Sequence, residues 1–347
     1  MNFSPVLKKS PVHVSVPCRI DFGGTLDIST FFMALKHLKP GTLNLALDMR
    51  TRVSLHPWEP GRIKISSRGF DTIERDRYET GTDNPMGLMF AVARFFNAHG
   101  VHIDIRSASP PRSALGGSSS AAVAIVSAFY HALEKAPDPE HVTWLAHYLE
   151  SSVAGVPCGV QDQAAAAFGG VNFWEWGFGD SGPQYVRHPV CETVADIADL
   201  NRHILVAYCG IPHESKDVNG RWVKAFKSGR AFKAFEKITG LTRSFTDALK
   251  QKAFSAAGEI MNRETRIRCE LTPDVLDRTG KVLFEQAGAL GCGARFTGAG
   301  GGGCLWAVGE AEKIDRLSVS WQETLDRTED GLILDTSIDT VGIQIHI

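Results

Sequence analysis

The chain has no apolar run of about 18 residues, the shortest stretch that spans a bilayer as a helix. Its opening, MNFSPVLKKSPVHVSV, lacks the apolar centre of a secretion signal. It is also short of net charge. The Lys and Arg residues number 37 against 39 Asp and Glu, a balance of -2. The basic residues are scattered, so no nucleic-acid or membrane-surface footprint is expected. Cysteine is sparse: 7 in 347 residues, widely spaced and never as C-x-x-C. That argues against a disulfide framework or a zinc site and for reduced thiols in a cytoplasmic protein. No G-K-[ST] occurs, which excludes a Walker phosphate loop, and without an H-R-D the protein-kinase set is missing too. Neither an internal repeat nor a low-complexity linker is present.

What is there is an ordinary globular composition, 43% hydrophobic and 22% charged, with enough chain for two domains. Alternation predicts strands in VHVSVPCRIDF, NLALDMRTRVSLHPW, GRIKISSRGF and VHIDIRSA. Helical spacing runs through PMGLMFAVARFFNAHG, which Gly100 would cap, through about Ser119 to Glu134, and from Pro139 to Val153. FGGVNFWEWGFGDSG reads as strand and turn, and ADLNRHILVAYCG as a buried strand opening a second half. The pattern from Trp222 to Leu290 is mostly helical. GARFTGAGGGGCLWAVG reads as strand, glycine loop and strand, and the tail DTVGIQIHI as a strand. Strands and helices come in blocks, which favours an α+β fold over a doubly wound sheet. The break between two domains, 1–198 and 199–347, is placed before the second half.

The segment PPRSALGGSSSAAVAIVSAF sets two glycines and three serines at the mouth of a buried helix. Amides there have no intrahelical partners and carry partial positive charge. Gly116 and Gly117 let the backbone approach an anion, and Ser118, Ser119 and Ser120 add hydroxyls. The stretch fits a phosphate cradle, and equally a plain serine N-cap. Gly298 to Gly303 satisfy G-x-G-x-x-G, but a strand follows where a dinucleotide fingerprint needs a helix. An NAD-binding oxidoreductase would rest on that coincidence alone.

Four segments in order resemble the motifs of the GHMP kinases, a family of sugar and metabolite kinases. VPCRIDFGGTLDI resembles the first motif, PPRSALGGSSSAA the ATP phosphate loop, and ARFTGAGGGGCLWAV the late glycine loop. GVPCGVQDQAAAAFGG resembles the segment that carries the catalytic aspartate in galactokinases and heptose kinases. The resemblance implies a ribosomal-protein-S5-like N-terminal domain joined to a ferredoxin-like C-terminal domain, with the active site between them and ATP and Mg2+ as cofactors.

Carried over residue by residue, it implies that Leu115, Gly116, Gly117, Ser118 and Ser119, with Gly300 and Gly301, hold the nucleotide phosphates. Ser118, or alternatively Ser119, would face Mg2+ together with Glu150; a hydroxyl and a carboxylate suit that hard cation. Asp162 would take the proton of the acceptor hydroxyl, with Arg19 as its partner and as the stabiliser of transferring charge. Asp27, Gly24 and Thr25 would bind the acceptor, since a carboxylate accepts from two adjacent hydroxyls. Asp21 and Gln161 are further candidates, Gln163 flanks the proposed base, and His213 reads as a surface loop histidine.

GGTLD stands where galactokinases carry Gly-Glu-His-x-Asp, and QDQAAAAFGGVNFWEW is nearest the heptose kinases. Ala114 occupies a position that is glycine in the family's phosphate loop. The expected function is an ATP-dependent sugar kinase acting on a monosaccharide or sugar phosphate (heptose 7-phosphate-, galactose- or fucose-like), at the anomeric hydroxyl. A GHMP kinase for a non-sugar alcohol and a catalytically silent sensor of the same fold are the alternatives. A small-molecule sugar is the partner expected; oligomeric state is left open.

Overall fold

The computed structural model describes residues 1–79, 81–155, 157–212 and 218–346. A short helix α1 (Ser4–Lys9) precedes strand β1 (Val12–Phe22), helix α2 (Ser29–Ala34) and the long strand β2 (Gly41–Pro57). Next come β3 (Arg62–Ser67), β4 (Phe70–Asp76), α3 (Gly87–Phe95) and β5 (Val101–Ser107). Three helices follow, α4 (Gly117–Ala132), α5 (Pro139–Val153) and α6 (Gln161–Phe168), and then β6 (Val171–Gly179) and β7 (Gly182–Pro189). The second half holds α7 (Val194–Asn201), β8 (Ile204–Cys209), α8 (Val218–Lys227), α9 (Phe232–Lys250), α10 (Phe254–Leu271) and α11 (Arg278–Ala289). It ends with β9 (Gly293–Phe296), β10 (Cys304–Val308), α12 (Ala311–Leu325), β11 (Gly331–Ile333) and β12 (Gln344–His346).

An 8-stranded sheet runs β12-β1-β2-β5-β3-β4, with β6 paired to β2 and β7 to β6. A 4-stranded antiparallel sheet runs β11-β8-β10-β9. The blocks of strand and helix thus form an α+β fold, as expected. Three boundaries differ. GRIKISSRGF is a hairpin, not one strand, because Gly69 takes a left-handed φ of 84° and turns the chain. Helix α3 stops early because Asn97, with φ 47°, takes the left-handed position at its end instead of Gly100. The break at 198/199 falls inside α7, and β12 returns to the first sheet, setting His346 opposite His13.

Among the described residues four apolar cores hold these layers, the smallest being Phe32, Val160, Ala164, Trp174 and Trp176. One lies between the first sheet and α3 to α5, and another between the second sheet and its helices. The third joins the two sheets: Cys18, Ile20 and Phe22 of β1 pack with Val206, Phe245 and Trp306. Side chains alternate along a strand, yet Val12, Val14 and Val16 enter the first core while Cys18, Ile20 and Phe22 enter the third. The cause is a register shift between Val16 and Cys18, at Pro17, which has no N–H to give the ladder. This bulge turns the second half of β1 over. Arg19 is thereby placed on the side that α4 and α6 cover.

Candidate active site

Gly116 is the residue before α4 and adopts a left-handed φ of 77°. The first intrahelical bond is from Ser120 N–H to the Gly116 carbonyl, so the amides of Gly117, Ser118 and Ser119 precede it. A Cβ on Gly116 would lie 3.2 Å from Asp162 Oδ2. Backbone angle and crowding both demand glycine here, and the crowding shows how near Asp162 stands to the bare amides.

Asp162 sits in the first turn of α6, where a carboxylate is favoured by the helix dipole. Arg19 Nε donates to Asp162 Oδ1 at 2.8 Å, and Nη2 lies 2.7 Å from the same oxygen. Arg19 Nη1 donates to the Ala114 carbonyl at 2.8 Å, tying the pair to the loop before α4. The arginine is buried, whereas the Asp162 side chain keeps 23% of its surface. Both line the cavity, and the carboxylate is the more open of the two to a ligand.

Glu150, near the end of α5, accepts from Ser119 Oγ at 2.7 Å and from Gln163 Nε2 at 2.5 Å. Burial pushes its carboxyl up to about 7, against those hydrogen bonds and with help from the Asp162 charge. Ser118 is exposed and lines the cavity, so the hydroxyl that meets Glu150 is that of Ser119, the alternative in the sequence reading. Among the described residues no three His, Cys, Asp or Glu gather as a metal cluster. A serine hydroxyl and a carboxylate beside free amides nevertheless form the hard-oxygen set that Mg2+ takes when phosphate oxygens complete its shell, and a cation would reverse the rise at Glu150. The residues fit the ion.

Asp27 is buried and accepts from the Gln161 amide at 3.0 Å. A Cβ on Gly159 would fall 1.7 Å from Asp27 Oδ2, so the carboxylate occupies space that only glycine leaves. Burial lifts the Asp27 carboxyl to about 6; the Gln161 N–H opposes this, and the Asp162 and Asp21 charges add to it.

Arg19, Thr25, Asp27, Gln161, Asp162, Glu150 and residues 116–119 all line one cavity of 530 Å³. Other predicted positions lie behind its wall. Asp21 is fully buried outside the cavity lining, with Oδ2 on Arg295 and Oδ1 on the Gly298 amide, so a substrate in the cavity does not reach it. The Gly24 carbonyl accepts from Arg268 instead of facing the cavity. Leu115 buries its side chain in the third core and gives its carbonyl to the Arg19 amide. The amides of Gly300 and Gly301 are spent on the Thr297 and Val275 carbonyls; Gly298 and Ala299 line the cavity in their place. His213 lies outside the described residues. The loop with the dinucleotide-like glycines does lead into a strand, β10.

Sequence reasoning missed Gly159, Asn219 of α8, and a buried set formed by Glu264, Arg268 and Arg295. Asn219 lines the cavity, donates from Nδ2 to the Pro157 carbonyl at 3.3 Å, and leaves a buried Oδ1 with no partner. Glu264 and Arg268 are spaced i,i+4 on α10, which from sequence alone looks like a solvent-facing pair.

Two family models match: "GHMP kinases N terminal domain" over residues 86–170 and "GHMP kinases C terminal" over 245–327. The chain belongs to the GHMP kinase family. The N-terminal match runs from α3 to the turn before β6 and takes in Gly116 to Ser119, Glu150, Gly159, Gln161 and Asp162, while Arg19, Thr25, Asp27 and Asn219 lie outside it. ATP use comes with the family. This GHMP kinase is 23% identical over 348 residues, 96% of its length and 98% of the relative's, to D-glycero-alpha-D-manno-heptose 7-phosphate kinase of Campylobacter jejuni subsp. jejuni. It is 26% identical over 327 residues, 87% of its length and 90% of the relative's, to mevalonate kinase of Thermococcus sibiricus. Its fold matches that of Lactococcus lactis galactokinase complexed with galactose at TM-score 0.75, with 17% identity and coverage of 99% of this chain and 97% of that one. A D-glycero-D-manno-heptose 1-phosphate kinase from Bacteriodes thetaiotaomicron matches at TM-score 0.72, with 19% identity and coverage of 97% and 99%.

Proposed function

We propose that this GHMP kinase transfers the γ-phosphoryl group of ATP to a hydroxyl of a monosaccharide or sugar phosphate, the anomeric hydroxyl in particular. One observation carries the reading: the Asp162 carboxylate, paired with Arg19, stands against Gly116 at the mouth of α4. An anionic phosphate held there lies within reach of a base. The relatives named for heptose phosphates and galactose support a sugar as acceptor.

The amides of Gly117, Ser118 and Ser119 bind the phosphates, and the apolar wall of Phe70, Met86, Met89 and Ile105 takes the nucleoside. Thr25, Asp27, Gln161 and Asn219 face the acceptor and hold its hydroxyls. Ser119 and Glu150 would hold Mg2+, which when bound supplies positive charge to neutralise the phosphate oxygens. Asp162 accepts the acceptor proton as the oxygen attacks phosphorus, and Arg19 stabilises the negative charge at that oxygen. Little further covalent work is asked of the protein.

A coupled ADP-release screen over D-glycero-α-D-manno-heptose 7-phosphate, galactose, fucose, mannose and mevalonate tests the acceptor. Turnover of mevalonate alone would replace the sugar reading. Asp162→Asn should lower kcat by about 100-fold or more while ATP binding stays near that of the parent; unchanged turnover would remove Asp162 from the chemistry.

A further inference from the structure

Behind the cavity wall lies a chain of charges closed off from solvent. Arg295 Nη1 donates to Asp21 Oδ2 at 3.0 Å and Nε to Glu264 Oε2 at 3.0 Å. Arg268 Nε donates to the other Glu264 oxygen at 2.8 Å, and its remaining nitrogens donate to Thr25 Oγ1 and the Gly24 carbonyl. All four side chains have zero exposure. Burial works against ionisation of Glu264, but Arg295 and Arg268 outweigh it and hold its carboxyl below the usual value. The guanidinium of Arg295 stacks against Phe296 and that of Arg268 against Trp222.

Such a network is an expensive way to stabilise a fold. Desolvating four charges costs about as much as their pairing returns, and well-packed apolar residues serve stability equally well. Its position suggests a different use. Asp21 Oδ1 is only 3.7 Å from Arg19 Nη1, so Asp21 and Asp162 are rivals for one guanidinium. Arg295 engages one Asp21 oxygen and the Gly298 amide the other, at 2.6 Å. Those two contacts fix Asp21 at this distance, while Arg19 keeps Nε and Nη2 on Asp162.

We propose that Arg295, braced by Glu264, is a positioning residue for phosphoryl transfer: it restrains Asp21 from drawing Arg19 off Asp162. The role belongs to the second lobe, although every group it orders lies in the first. This inference rests on the kinase reading of the Arg19–Asp162 pair. The balance of charge suggests its own control: removing Asp21 and Arg295 together leaves the Glu264–Arg268 pair neutral and takes away the rival carboxylate.

The test compares the full-length parent, Arg295→Met and Arg295→Met with Asp21→Asn, using ATP and whichever acceptor the parent turns over in the screen. Arg295→Met should lower kcat about tenfold or more, as expected for misplaced reacting groups, with the KM for ATP within about twofold. The double variant should recover kcat to within about threefold of the parent. A crystal structure of Arg295→Met should show Arg19 moved onto Asp21, a readout independent of turnover. A double variant as slow as the single one, or Arg19 still seated on Asp162 in Arg295→Met, would overturn the proposal. If Arg295→Met does not fold, the double variant decides: folded and near parental turnover supports the proposal, whereas slow or unfolded makes the role purely structural. A parent that turns over no acceptor is the separate failure of the kinase reading, and the crystal structure still decides this one.

Discussion

Asp27→Asn separates what the aspartate proposed to bind the acceptor does for function from what it costs the fold. Its carboxyl is raised from 3.8 to about 6, chiefly by burial. The folded protein therefore holds the Asp27 proton more tightly than the unfolded chain does. Stability from this group declines as pH climbs from about 4 to 6, and the loss is complete above that. A rise of about 2 units at ~1.36 kcal/mol each corresponds to about 3 kcal/mol at neutral pH. Asparagine matches the protonated acid in shape and charge, and its carbonyl can still accept from the Gln161 amide. The variant should thus be more stable than the parent by about 2–3 kcal/mol at pH 8 and nearly equal to it at pH 4. Urea unfolding of both proteins at the two pH values measures this. The acceptor KM should rise about tenfold or more, because an NH2 replaces an oxygen that accepts from hydroxyls. In the parent, kcat/KM for the acceptor should fall as pH drops through about 6, where Asp27 takes up its proton. A variant no more stable than the parent at pH 8, or a stability gap that ignores pH, would refute the argument that this carboxylate is kept at a folding cost for binding.

Two further outcomes follow from the loop before α4. Ser119→Ala should raise the Mg2+ concentration needed for half-maximal turnover by about tenfold, while Ser118→Ala shifts it less than about twofold; a Ser119→Ala magnesium titration that overlays the parent's places the ion elsewhere. Ala114 holds a left-handed φ of 60°, so Ala114→Gly should stabilise the fold by about 1 kcal/mol in urea unfolding, and no gain would mean that the strained angle is relieved by packing.

The grouping of the residues proposed for catalysis was legible because its requirements are local. A bare helix N-terminus needs small residues in a row, and Gly116 to Ser120 are such a row. A carboxylate set among alanines needs a cation, and Arg19 in the first motif is the cation it meets. The acceptor side was half legible: Asp27, Thr25 and Gln161 reach the cavity, but Asp21 and Gly24, drawn from the same motif, do not. Arg295 and Arg268, more than 240 residues away in sequence, hold Asp21 and the Gly24 carbonyl behind the wall, and no local pattern encodes that. The choice between Ser118 and Ser119 also waited on structure, because it depends on which hydroxyl of the first helical turn points at α5.

The bulge at Pro17 carries the widest consequence of any local irregularity. Had β1 kept its alternation, Cys18, Ile20 and Phe22 would continue the face of Val12, Val14 and Val16, and Arg19 would point into the core shared by the two sheets. An arginine there would lie among Trp306, Phe245 and Val206 with no carboxylate, a burial that costs several kcal/mol. The bulge reverses both assignments at once: three apolar side chains join the two sheets, and the arginine meets Asp162. The bulge is also anchored, since Ser120 Oγ of α4 donates to the Pro17 carbonyl at 3.2 Å. The helix whose first amides are proposed to bind phosphate therefore grips the irregularity that aims the arginine. The proposed nucleotide cradle and the proposed catalytic pair are two ends of one contact, and a shift of α4 would move both.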